Sequence, residues 1–339
     1  MSARVALVLV ILLAVLGGGA LLYRMEERAR RPDNAAALGQ PLLKGLQVAD
    51  IAAIRITEAK STLTLERKEG GWVIAERAGF PADVARVREF ALLAISLKVG
   101  QSEPAGEQDR ARLNLDQSGT RVEFNGVDGK PLAALVVGRK YFKREPDNPD
   151  RAPGDGRFVA LPGEARLIYI VSDPLALAST RSAAWIDRAS FQVEKVKSLE
   201  VRFADGAAWR VERAADNADW KLAGLGAGEK LDVGRANAAT YSLGLLELAD
   251  VAPKDVKETD EMRGLSKPTL INATTFAGES YAIRVGRLQG DNYYLRFTST
   301  SKKERDRLLS PYTLLVPKSK LEDTLKKRAE LLEAKPGRK

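Results

Sequence analysis

The chain has 339 residues, 45% apolar and 29% charged, a composition that suits about two globular domains behind a short leader. It contains no cysteine and no histidine. That excludes disulfides, thiol nucleophiles, thiolate zinc and iron–sulfur sites, Ser-His-Asp catalysis and imidazole metal ligation. The net charge of +9 comes from basic residues scattered among acids, and only 6% of residues are aromatic, so no base-stacking platform and no nucleic-acid partner are expected.

Residues 5–23 (VALVLVILLAVLGGGALLY) carry no charge. As a helix they would reach roughly 28 Å, against about 30 Å of bilayer hydrocarbon. Gly18-Gly19-Ala20 offers small residues of the kind a signal peptidase accepts, but the apolar run continues through Leu21, Leu22 and the interfacial Tyr23, which favours an uncleaved single-pass anchor. Arg24, Arg28, Arg30 and Arg31 follow the span, and a strict Lys/Arg count would keep the C-terminal side in the cytoplasm. Glu26 and Glu27 interleave these arginines, and only four residues precede the span. The expected arrangement is therefore a cytoplasmic end at 1–4, a transmembrane helix at 5–23, a stalk and linker at 24–45 broken at Pro32, and export of the large C-terminal part across the membrane.

From residue 46 onward the chain says similar things twice. Residues 48–57 (VADIAAIRIT) and 193–203 (VEKVKSLEVRF) both alternate apolar and polar side chains, the period of a half-buried strand. Second strands follow at 62–67 and 208–213, then a turn and a tryptophan, Trp72 and Trp220, which stand 148 positions apart. Asp83 and Asp232 are N-cap residues, each opening a helix with apolar side chains at helical spacing. Leu113-Asn114-Leu115 then matches Arg263-Gly264-Leu265, and Val137-Gly138-Arg139 matches Val285-Gly286-Arg287. The expected fold is α+β: an N-terminal transmembrane helix, then two tandem copies of a sheet-plus-helix unit with mostly antiparallel strands, at 46–185 and 186–318. Ser319 and Glu322 form a capping-box pattern, so 319–339 is expected to be a C-terminal helix and a basic tail.

No constellation of catalytic or metal-ligating residues emerges, so no enzyme and no cofactor are expected. Residues 143–156 (KREPDNPDRAPGDG) are charged and proline-rich, the composition of a flexible surface excursion. Gly224-Leu225-Gly226-Ala227-Gly228 precedes a helix but lacks the third glycine of a dinucleotide turn, position 229 being Glu. A glycine in a strand, as at Gly138 and Gly286, implies a bulge, a turn or a close backbone approach. The candidate ligand contacts are Arg139 and Arg287 beside those glycines, and Arg296, since guanidinium groups bind carboxylate or phosphate. Trp72, Trp220, Gly138 and Gly286 are structural positions of the repeat.

The pattern resembles the bacterial domain of unknown function 4340 family. The residues that carry the likeness are Trp72 and Trp220, Asp83 and Asp232, Leu113-Asn114-Leu115-Asp116, Gly264-Leu265-Ser266-Lys267-Pro268, Val137-Gly138, Val285-Gly286 and Tyr294-Leu295-Arg296. The first copy departs at Asn114, where the pattern has Gly, and at Phe158-Val159-Ala160, where it has Tyr-x-Arg. The resemblance implies a membrane-anchored protein encoded beside gliding-type ABC transporter subunits and brings no catalytic residues. The expected function is a non-enzymatic periplasmic accessory or scaffold subunit of an ABC-type transport complex, acting by protein–protein contact with the permease, the ATPase and related accessory subunits. The alternative is a periplasmic binding module for an anionic envelope ligand, polysaccharide or lipid.

Overall fold

A computed structural model describes residues 38–164, 166–253 and 258–334. The expected cytoplasmic end, transmembrane helix and basic tail lie outside these residues. Among the described residues no helix is long and apolar enough to cross a membrane.

The architecture is mostly antiparallel β-sheet with few helices. A nine-stranded sheet has the order β4-β3-β2-β1-β6-β7-β8-β9-β5, and an eight-stranded sheet the order β12-β11-β10-β14-β15-β16-β17-β13. The first contains β1 (Ala53–Glu58), β2 (Ser61–Lys68), β3 (Gly71–Ile74), β4 (Phe80–Pro81), β5 (Gln101–Pro104), β6 (Thr120–Asn125), β7 (Pro131–Tyr141), β8 (Gly156–Ala160) and β9 (Leu167–Val171). The second contains β10 (Val196–Arg202), β11 (Ala208–Glu212), β12 (Lys221–Leu222), β13 (Asp250–Val251), β14 (Thr269–Thr275), β15 (Ser280–Gln289), β16 (Asn292–Ser299) and β17 (Leu314–Pro317). The helices are α1 (Val84–Ser96), α2 (Glu107–Arg112), α3 (Val233–Tyr241) and α4 (Glu304–Leu309).

Alternation builds these sheets. Ile54 and Ile56 in β1, Leu63 and Leu65 in β2, and Leu199 and Val201 in β10 are all buried, and the residues between them are not. One face therefore turns toward an apolar core and the other toward water. The N-cap reading holds at both helices. The Asp83 carboxylate accepts from the amides of Ala85 and Arg86 at 3.0 and 3.3 Å, and the Asp232 carboxylate from Arg235 at 3.1 Å.

Contacts divide the described chain into two compact units, residues 38–63 with 88–180, and residues 64–87 with 181–334. In the first unit Phe90 of α1 stacks on Phe124 of β6 with ring centroids 6.1 Å apart. Residues 38–45, expected as linker, are tied into this unit. Leu42 and Leu43 are buried, and the amides of Gly39 and Leu42 donate to Val99 and Leu97 carbonyls at 2.8 Å. In the second unit Arg77 grips Asp250 with two hydrogen bonds of 3.0 Å, Phe80 meets Tyr312 edge-on at 4.9 Å, and the Asp83 amide donates to the Trp185 carbonyl at 2.7 Å. Helix α3 lies against β10, with Ala236 and Ala239 buried.

The C-terminal segment differs from expectation. In place of one helix over 319–332 there are short 3-10 turns at Lys318–Lys320 and Arg328–Leu331. The cause is competition for backbone carbonyls. The Trp209 indole donates to the Lys326 carbonyl at 2.8 Å, and the Asp232 amide donates to the Leu331 carbonyl at 2.9 Å. Thr324, fully buried, donates to the Ala239 carbonyl at 2.7 Å. These tertiary bonds hold the segment in turns against its capping-box pattern.

Candidate functional site

The Val-Gly-Arg strands are built around a close approach. A Cβ on Gly138 would lie 2.3 Å from the Leu113 carbonyl oxygen, and one on Gly286 would lie 2.2 Å from that of Arg263. Only glycine fits at either position. The next amide closes the contact: Arg139 donates to Leu113 at 2.9 Å and Arg287 to Arg263 at 2.8 Å. Each glycine also sits in a bulge, since the ladder register shifts between Val137 and Lys140 and again between Val285 and Leu288. The turn that supplies the carbonyl needs a left-handed residue, Asn114 at φ 55° in one case and Gly264 at φ 70° in the other. Asn is among the few side chains that adopt this conformation readily, so the departure at Asn114 keeps the geometry.

In the first unit the bulge opens a cleft of about 740 Å³. It is lined by α2, the β7 bulge, the β8 strand and the loop after β7, and it includes Arg139, Lys140, Tyr141, Arg157 and Phe158. Its apolar floor belongs to a small core of Leu113, Leu115, Ala160 and Ile168, against which Phe158 and Ala105 pack. The loop expected to be a free excursion is pinned. The Lys140 ammonium donates to the carbonyls of Pro149, Asp150 and Ala152 at 3.3, 2.9 and 2.8 Å, and Asp155 accepts from the Lys143 amide at 2.9 Å.

Lys140 and Arg157 stand directly opposite one another in the β7–β8 ladder. Like charges so placed are destabilising. Arg157 is half-buried, its Nε has no hydrogen-bond partner among the described residues, and burial alone pulls its guanidinium below the usual arginine range. The exposed Arg139 side chain also has no ion-pair partner among the described residues. Four carboxylates share the lining, Glu103, Asp109, Glu145 and Asp150. Asp109 is held by the Gly106 amide at 3.3 Å and by Arg112 at 3.6 Å, and the other three are exposed. Lys140 and Arg157 are both half-buried, and neither has an ion-pair partner among the described residues. Arg157 is not among the sequence candidates, because one arginine in a short strand carries no signal; its importance comes from the bulge-shifted register that sets it against Lys140.

The other candidate residues are committed to the fold of the second unit. Arg287 faces Glu258 at 3.5 Å, and the same carboxylate accepts from the Tyr294 hydroxyl at 2.9 Å and lies 3.5 Å from Arg263. Arg296 donates to Thr313 Oγ1 at 2.7 Å and to Asp260 at 2.8 Å. Trp220 is buried, its indole donates to Asn237 Oδ1 at 2.8 Å, and the Arg213 guanidinium lies 4.6 Å over its ring. Trp72 is half-buried in β3, where its carbonyl accepts from Ala82 at 2.8 Å. The glycine-rich loop at 224–228 is filled by its own neighbour: Glu229 accepts from the Gly226 amide at 2.9 Å and is held by Arg328 at 2.6 Å. Among the described residues no group of three acidic side chains is placed to hold a metal ion.

No curated protein and no solved structure matches the chain. A family model does match, described as Domain of unknown function (DUF4340), over residues 72–268. That span covers more than half of the chain and runs from the tryptophan of β3 through both helix-capping aspartates and the first bulged glycine to the turn before β14, so the protein belongs to the DUF4340 family.

Proposed function

We propose that the protein is a membrane-tethered, non-enzymatic accessory subunit of an ABC-type transport complex, displaying two tandem copies of one sheet unit on the periplasmic side of a bacterial inner membrane. The observation that carries this reading is the correspondence of the two sheets. Reading β12-β11-β10-β14-β15-β16-β17-β13 against β3-β2-β1-β6-β7-β8-β9-β5 matches each strand in order, with β4 the one addition. The bulged glycine, the left-handed turn and the Asp-capped helix recur at corresponding places. A repeated unit whose candidate arginines are largely spent on internal pairs suits a scaffold, which works through surfaces. The apolar run at 5–23 supplies the tether. Purification of the full chain from membranes in mild detergent is expected to co-recover an ATP-hydrolysing subunit and a polytopic permease in fixed proportion. Recovery of the chain alone, repeated across detergents, contradicts the proposal.

One observation favours a second reading, a binding module for an anionic ligand. Arg139 opens on a cleft whose cations Lys140 and Arg157 have no ion-pair partner among the described residues, in contrast to Arg287 and Arg296.

A further inference from the structure

We infer that the cleft of the first unit is a binding site for a phosphate monoester, with Arg157 and Arg139 donating to its oxygens and Lys140 supplying fixed positive charge. The inference deepens the binding-module reading and does not depend on the transport-complex reading.

Three features carry it. First, the opposed Lys140 and Arg157 are a like-charge pair with no acid set against it. The Lys140 ammonium is held by three backbone carbonyls, which orient it without neutralising it, and Arg157 leaves a buried donor unused. A half-buried cation pair of this kind costs folding stability unless an anion completes it. Second, the fold does not require cations there. In the second sheet the pair just beyond the bulge is Leu288 opposite Tyr293, both uncharged. The same backbone device is thus built with and without charge. Third, the cleft has the size of a small-molecule site and pairs its cations with an apolar floor and the edge-on rings of Tyr141 and Phe158, 5.5 Å apart. A dianionic group matches the uncompensated charge better than a carboxylate does, and two guanidinium forks suit its oxygens. The exposed Glu103, Glu145 and Asp150 at the lining disfavour long polyanions and leave room for one compact group.

The phosphate can come from a soluble ester or a lipid headgroup, and the test separates them. Binding of glycerol phosphate, and of short-chain phosphatidic acid with phosphatidylcholine as the control, is measured by calorimetry on the full chain in detergent. Saturable binding of at least one phosphomonoester is expected, phosphatidic acid alone pointing to the headgroup. Arg157→Lys, which keeps the charge and loses the fork, is expected to weaken it by about tenfold or more. Arg157→Gln is expected to abolish binding and to raise the melting temperature of the unliganded chain, which separates loss of the site from loss of the fold. Arg287→Ala is expected to bind as wild type. Absence of saturable binding by either phosphomonoester overturns the inference, as does wild-type affinity in Arg157→Lys and Arg157→Gln. If neither phosphomonoester binds but an anionic polysaccharide does, with affinity unchanged in the Arg157 variants, the binding-module reading survives and this site does not.

Discussion

Tyr169 in β9 shows how one phenol can report on the first unit. Burial, followed by a hydrogen bond to Glu164, pushes its hydroxyl up to about 12 from an ordinary value of 10. Below pH 10 the phenol is neutral whether the chain is folded or not. Between 10 and 12 the unfolded chain ionises while the folded chain does not, so stability falls as pH rises through that window. Urea unfolding midpoints at pH 9 and pH 11.5 check this: wild type is expected to lose more than Tyr169→Phe does. Every other side chain is common to the two proteins, so the difference between them isolates Tyr169. Residues also mark the limit of sequence reading. Asp83 and Asp232 stand out as caps because capping is local, and Gly138 and Gly286 because a glycine inside an apolar strand asks for a reason. Arg157 gives no such sign, since its unusual neighbour lies on another strand and faces it only after a bulge.

The glycine bulge and the turn beneath it act as one joint between elements. Gly138→Ala and Gly286→Ala each push a methyl into a carbonyl oxygen at 2.3 and 2.2 Å, so backbone must move. Each is expected to cost about 2–3 kcal/mol. Asn114→Ala, which strains a left-handed position, is expected to cost about 1 kcal/mol, and Asn114→Gly little or nothing. Denaturant unfolding of the four variants checks the set. An Asn114→Gly protein as damaged as Asn114→Ala would show that the Asn side chain, and not its backbone conformation, holds the joint. Elements held by alternation and capping are legible in the sequence: β2, β10, β11, α1 and α3 fall where the pattern puts them, while the strand expected over 48–57 begins only at Ala53, after a 3-10 turn at Val48–Asp50. The short edge strands β5 and β13 are not. Each pairs with a strand more than sixty positions later, Gln101 with Ile170 and Asp250 with Leu315, and neither is long enough to show a period. The C-terminal segment departs from its pattern for a related reason: its capping box is a local preference, overridden by the side chain of Trp209 and the amide of Asp232.

At the scale of the whole molecule, an uncharged run at 5–23 precedes two sheets of corresponding strand order. The sheets follow from alternating strands, and the family from the match across residues 72–268. Function does not follow from the fold in the same way, because a sheet unit supports many roles and the candidate arginines of the second unit are paired with Glu258 and Asp260. If the apolar run at 5–23 is the tether proposed above, the scaffold reading requires the two sheets to lie on the exported side, and the arginines at 24–31 pull against export. The chain offers a clean probe, since it contains no cysteine. Val127, 86% exposed in the loop between β6 and β7, can be replaced by Cys as a unique label site. A membrane-impermeant maleimide applied to intact spheroplasts is expected to label the Val127→Cys protein fully. Labelling only after the spheroplasts are lysed would place the body in the cytoplasm and contradict the account.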